Sequence, residues 1–188
     1  LVGQFDPAPK SADSGTLSFL LPSAAPQQRV RVYLTDKHPD VGPPRGGDAL
    51  KVTCNGALVV PGCPLAQFNN RPITIAGSGF TVTHDPARMG GLPCNIEIAG
   101  RALQPTFADR VFDPKLGGFH VRNDEAPTRL LQAGGPLVTE IIVSAHYIQK
   151  GKDAPEKPGM GYRFTYTAGS PVVRVGGFAR QVRPYAWN

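Results

Sequence analysis

The chain has 188 residues, a 40% hydrophobic share and a net charge of +6, which suits one domain with a real core, two smaller sandwiches being the alternative. Its 22 glycines and 20 prolines follow no fixed period, which excludes a collagen-like chain. No segment repeats apolar residues at three-and-four spacing over three turns, so a helical bundle is excluded as well.

Residues 1–14 read as an extended N-terminal arm and 15–188 as one β domain. Leu1, Val2 and Phe5 are apolar and precede Pro7, Pro9 and small polar residues. They are expected to act as an assembly arm that adds a strand to the sheet edge of a neighbouring subunit. No signal peptide is visible, and a start at Leu1 rather than Met is expected where an upstream segment has been removed.

Strands are predicted over Thr16–Leu21 and Arg29–Thr35, followed by a Pro/Gly-rich surface loop at Asp36–Gly47. Leu50–Val60 carries a hairpin signal, because Asn55-Gly56 joins two apolar runs and both residues tolerate positive φ. The uncharged stretch that overlaps it, Val52–Asn70, is broken by prolines, glycines and asparagines, so it cannot be a membrane helix. Ile73–His84 is a second pair of alternating runs around Gly77-Ser78-Gly79, Asp85–Pro93 is a loop, and Asn95–Ala99 is a short strand. Phe107–Phe112, Phe119–Arg122 and Thr128–Leu131 are further strand candidates.

Leu137–Gln149 is the organising stretch. Leu137, Thr139, Ile141, Val143, Ala145 and Tyr147 alternate with a mixed face, the pattern of a central strand in a packed sheet. After the polar loop Lys150–Gly159 come strands at Met160–Thr167 and Pro171–Val182, the second expected to bulge or bend at Gly176-Gly177. About ten to twelve short strands separated by turns imply an all-β antiparallel fold, a two-sheet β-sandwich or jelly roll with long Pro/Gly-rich loops.

Candidate chemistry is sparse. Ser144, His146 and Glu140 share one strand face, but a rise of about 3.3 Å per residue puts Glu140 and His146 near 20 Å apart, too far for a triad. Asp36, His38 and Asp40 alternate as in an oxygen-rich cation loop, yet the charge and the closing bidentate Glu are missing. These three are the nearest metal candidates, and neither a metal nor another cofactor is expected. A β-sandwich enzyme would need His/Asp pairs gathered from the loops around His38, His84 and His120.

Three cysteines suggest one disulfide and one spare thiol in an oxidising compartment. The short hairpin separates Cys54 from Cys63, so the expected bridge joins Cys94 to either Cys54 or Cys63.

After Glu156 the chain has no acidic residue, while Lys157, Arg163, Arg174, Arg180 and Arg183 follow. With the aromatics there, Tyr162, Arg163, Arg174, Arg180 and Trp187 form a candidate surface for a glycan or polyanion. The leading expectation is a non-enzymatic structural or adhesive module, a self-assembling homo-oligomeric subunit of an extracellular filament, surface layer or virion. A carbohydrate- or polyanion-binding module is the alternative. No membrane span is expected.

Overall fold

The computed structural model describes residues 3–8, 11–19, 49–59 and 71–187, giving the backbone alone for 3–8, 11–14, 19 and 128–134. These residues are mostly β, with antiparallel pairing throughout. Strands β1 (Gly3–Ala8) and β2 (Ser11–Phe19) form a two-stranded sheet of their own. Within residues 1–14, expected to be an extended arm, Gly3–Ala8 pairs antiparallel with β2, which begins inside the same stretch at Ser11, with Phe5 opposite Leu17 and Asp6 opposite Thr16.

β3 (Lys51–Cys54), β4 (Ala57–Leu58), β5 (Ile73–Gly77), β6 (Phe80–His84), β7 (Pro93–Ile98) and β8 (Arg101–Leu103) make a six-stranded sheet of order β4-β3-β5-β6-β7-β8. The predicted Asn55-Gly56 hairpin is present: Cys54 pairs with Ala57, and the two turn residues have φ of 49° and 82°. This is the positive-φ pair that a two-residue hairpin requires.

A four-stranded sheet combines β9 (Arg110–Asp113) and β10 (Gly117–His120) with β13 (Ile148–Gln149) and β14 (Lys152–Asp153). The second four-stranded sheet has the order β11-β12-β15-β16, from β11 (Thr128–Gly134), β12 (Val138–His146), β15 (Gly159–Thr167) and β16 (Arg174–Arg180). The described residues thus hold sixteen strands rather than the ten to twelve expected. The excess includes the two-residue β4, β13 and β14, which lack the length for a sequence pattern.

Leu137–Gln149 is not one strand. β12 ends at His146, Tyr147 lies between, and β13 pairs with β10 in the other sheet. The handover is local: the tight Lys150-Gly151 turn, with φ of 47° and 74°, returns the chain immediately onto β14. Alternation itself holds across the break, since Leu137, Thr139, Ile141, Val143, Ala145 and Tyr147 are all buried.

One apolar core draws on the three larger sheets: Ile75 and Val82, then Ile141 and Phe164, then Phe119. The six-stranded sheet meets the β11-β12-β15-β16 sheet through aromatic contacts. The Phe80 and Tyr166 rings stack at 6.2 Å, and the His84 ring stands edge-on to Phe164 at 4.9 Å. Each fully buried Ile, Leu or Phe is worth about 1.5–3 kcal/mol. Gly90 holds the 3-10 turn Met89–Gly91 against the 3-10 turn Val121–Asn123; its φ is +63°, and a Cβ there would collide with the Val121 carbonyl.

Two expectations are corrected. β15 and β16 pair in continuous register from Gly159↔Arg180 to Thr165↔Arg174, so Gly176-Gly177 makes no bulge. Gly177 answers a space requirement instead, because a Cβ would sit 3.0 Å from Met160 and 3.4 Å from Tyr162. The disulfide is absent. Cys94 is a buried thiol whose S–H donates to the Thr83 carbonyl at 3.4 Å, and it is joined neither to Cys54 nor to Cys63. Cys54 lies on β3, three strand spacings from β7 in the order β3-β5-β6-β7, about 14 Å at the usual spacing and beyond bridging distance. Cys63, the predicted strand Arg29–Thr35 and the loop with Asp36, His38 and Asp40 lie outside the described residues, as do Leu1 and Val2. Among the described residues no helix is long and apolar enough to cross a membrane.

Candidate interaction surface

Register divides β15 and β16 into two faces. Arg163 lies opposite Gly176 and Ile142, Thr165 opposite Arg174 and Glu140, and Gly159 opposite Arg180 and His146. Arg163, Arg174 and Arg180 therefore share the outer face of the sheet, whereas Tyr162, Phe164 and Tyr166 face inward. Three of the five candidate ligand residues are brought together, and Tyr162 and Trp187 are not among them. Arg163 reaches Glu140 at 3.6 Å, and Thr165 donates to the same carboxylate at 3.2 Å. Among the described residues, Arg174 and Arg180 have no acidic partner.

Tyr162 is used internally. Its hydroxyl donates to Asp109 at 2.6 Å, and the Tyr147 hydroxyl donates to the same carboxylate at 2.8 Å. Burial first, then the hydrogen bond to Asp109 and its charge, push both phenols well above their ordinary range. Trp187 folds back, its ring 4.5 Å from Tyr185 and its N–H donating to Gln181 at 3.2 Å. Tyr185 in turn donates to Asp113. That bond comes first, ahead of the backbone N–H groups of Leu116 and Lys115, in holding the Asp113 carboxyl below its ordinary value.

The histidines are dispersed in role. His84 is fully buried: Nδ1 lies 3.0 Å from the Gly91 carbonyl and Nε2 2.7 Å from the Tyr166 hydroxyl. In the neutral ring the first nitrogen donates and the second accepts. His120 has its Nδ1 buried with no hydrogen-bond partner among the described residues. Burial, then the charges of Arg122 and Arg110, lower its pKa. The carboxylate beside His146 is Asp124, at 3.8 Å, and not Glu140. Asp124 also accepts the His146 backbone N–H at 2.8 Å, and the His146 side chain is 60% exposed. Ser144 and His146 stand two residues apart on a strand face, about 7 Å at Cα, and this spacing gives no nucleophile–base contact. Among the described residues no three His, Cys, Asp or Glu side chains gather as a metal site.

The sequence did not single out what lies between the sheets. An apolar cleft of about 250 Å3 is lined by Val82, Ile96, Leu103, Phe164, Tyr166 and Val175. It lies between β6, β7 and β8 of one sheet and β15 and β16 of the other, β8 and β16 being the outermost of these among the described residues. Every residue of β16 is exposed. Val175, on the cleft side, is 53% exposed, and Phe178, on the outer face, is 57% exposed. Phe178 covers Gly161 directly across from it, occupying the space a Cβ would take. The available signal was the Arg-Val-Gly-Gly-Phe-Ala-Arg run itself, too short in apolar residues for a core strand yet β-compatible. No known family model, curated protein or solved structure matches the chain.

Proposed function

We propose that the chain is a non-enzymatic structural or adhesive module, a two-sheet β-sandwich or jelly roll that assembles with copies of itself. An extracellular filament, a surface layer or a virion is the setting we assign to it. The observation that carries this reading is β16, the outermost strand of its sheet among the described residues, exposed along its whole length beside an open apolar cleft. Such an edge offers unpaired backbone groups to another strand, and natural proteins usually block or cover it. The test is sedimentation velocity over a wide concentration range, comparing the full chain with a variant lacking residues 1–14. Concentration-dependent growth that the deletion abolishes supports the reading. A full chain that stays monomeric overturns it, and an unchanged oligomeric state in the deletion overturns the role of the arm.

A second reading, a glycan- or polyanion-binding module, is favoured by the shared outer face of Arg163, Arg174 and Arg180 with exposed Phe178 beside them. Heparin retention at low salt that declines steeply as salt rises supports it. Passage through the column at low salt overturns it.

A further inference from the structure

We infer that the β16 edge of one copy accepts the β1–β2 hairpin of a second copy, with β2 as the added strand. The inference rests on the self-assembly reading and names its two surfaces.

The donor is a hairpin that gains from a partner. Among the described residues β1 and β2 pair only with each other, and a two-stranded hairpin is stabilised when a third strand or a packed face joins it. Its register is amphipathic: Phe5 pairs with Leu17 and Gly3 with Phe19 on one face, while Gln4 pairs with Ser18 and Asp6 with Thr16 on the other. Pro7 removes a backbone donor from β1, whereas the nine residues of β2 contain no proline. β2, over its regularly paired residues 15–19, is therefore the strand able to extend a ladder.

The acceptor matches in polarity and charge. β16 has seven residues, and among the described residues it is bonded to β15 alone. With the Phe5, Leu17 and Phe19 positions turned toward the cleft, apolar residues meet Val175 and Leu103 at its mouth. The Asp6 position then falls on the same side as Arg174 and Arg180. On that face the register places Asp6 and no Lys or Arg, and β16 carries Arg174 and Arg180 and no Asp or Glu.

Charge also disfavours the competing arrangement. Two β16 strands paired antiparallel about Gly177, the register of greatest overlap, place Arg174 across from Arg180 twice. Like charges directly opposite are destabilising in a sheet. The hairpin-to-edge contact joins different surfaces of the two copies, so it closes a dimer where two copies exchange hairpins reciprocally and otherwise propagates into rings or filaments.

The test uses full-length protein in low salt and a reciprocal charge exchange. Wild-type protein is expected to self-associate, as a reciprocal dimer or as larger species, by sedimentation velocity. The variants Asp6→Lys and Arg174→Asp/Arg180→Asp are each expected to associate about tenfold or more weakly. Mixing them in equal amounts is expected to restore association, because each supplies the partner charge that the other needs. Circular dichroism matching wild type confirms that both variants fold, and a variant that does not fold is replaced by its Asn or Gln counterpart. Wild-type protein that assembles while either variant assembles equally well, or a mixture that fails to recover, overturns this inference and leaves self-assembly standing. A wild-type monomer at every concentration overturns both.

Discussion

β12 and β16 belong to one sheet and both pair with β15, yet their surroundings differ completely. In β12 every second residue from Thr139 to Ala145 is buried, and the strand is bonded on both sides. In β16 no residue is buried and the strand is bonded on one side among the described residues. Both have continuous antiparallel register with β15, so that pairing alone does not distinguish them. The distinction comes from the layer across the core: Phe80 and His84 of β6 meet Tyr166 and Phe164 of β15. β16 lies beyond that contact, at the mouth of the cleft. A strand's place in the sheet decides its burial, and this divides fold-holding strands from surface-presenting ones.

Substitutions can sharpen this contrast or break it. The largest effect is expected at Ile141, which is fully buried on β12. Ile141→Ala should lower unfolding free energy by about 2–5 kcal/mol in urea titrations, and a loss below about 1 kcal/mol contradicts the burial described. Next is Tyr166→Phe, which removes the hydroxyl that donates to His84 in the core. A loss of about 1–3 kcal/mol is expected, because a buried polar atom then gives up one of its bonds.

Tyr185→Phe probes the segment that follows β16 through pH. In the native state Asp113 titrates below its ordinary value of 3.8. Its contribution to stability is therefore present above that pH and lost as pH falls through the native pKa. The stability gap between wild type and Tyr185→Phe should be open at pH 7 and close as pH drops below about 4. A gap that widens in acid contradicts the assignment, and NMR titration of Asp113 checks the shift directly.

The smallest effect is expected at Val175→Ala, within about 0.5 kcal/mol in dilute protein. A cost comparable to that at Ile141 shows that β16 is covered in solution, and the contrast between the strands disappears.

Several features were legible because their causes are local. Asn55-Gly56 reveals its hairpin through the φ preferences of two adjacent residues. The alternation in β12 reveals the buried face because one side of a strand meets the core. What escaped depends on strand order. No residue near Tyr147 signals that β12 and β13 enter different sheets, because the deciding partners, Gly159–Thr167 and His120, come from elsewhere in the chain. The cysteine pairing failed for the same reason, since the distance from Cys54 to Cys94 is set by β5 and β6 between them. Of the candidate surface, the basic residues were legible from composition, and register then aligned three arginines on one face. The Asp109 anchor for Tyr147 and Tyr162 was not legible, as its partners lie 38 and 53 residues away.

The Cys94 thiol has a consequence for how this protein can be watched. It is buried against the Thr83 carbonyl, and desolvation raises its pKa, leaving little of the reactive thiolate at neutral pH. A thiol reagent must therefore wait for β6 and β7 to part. The labelling rate at Cys94 becomes a clock for that opening, measurable on the native chain by mass spectrometry. Its dependence on denaturant tells whether the six-stranded sheet breathes locally or yields with the whole molecule.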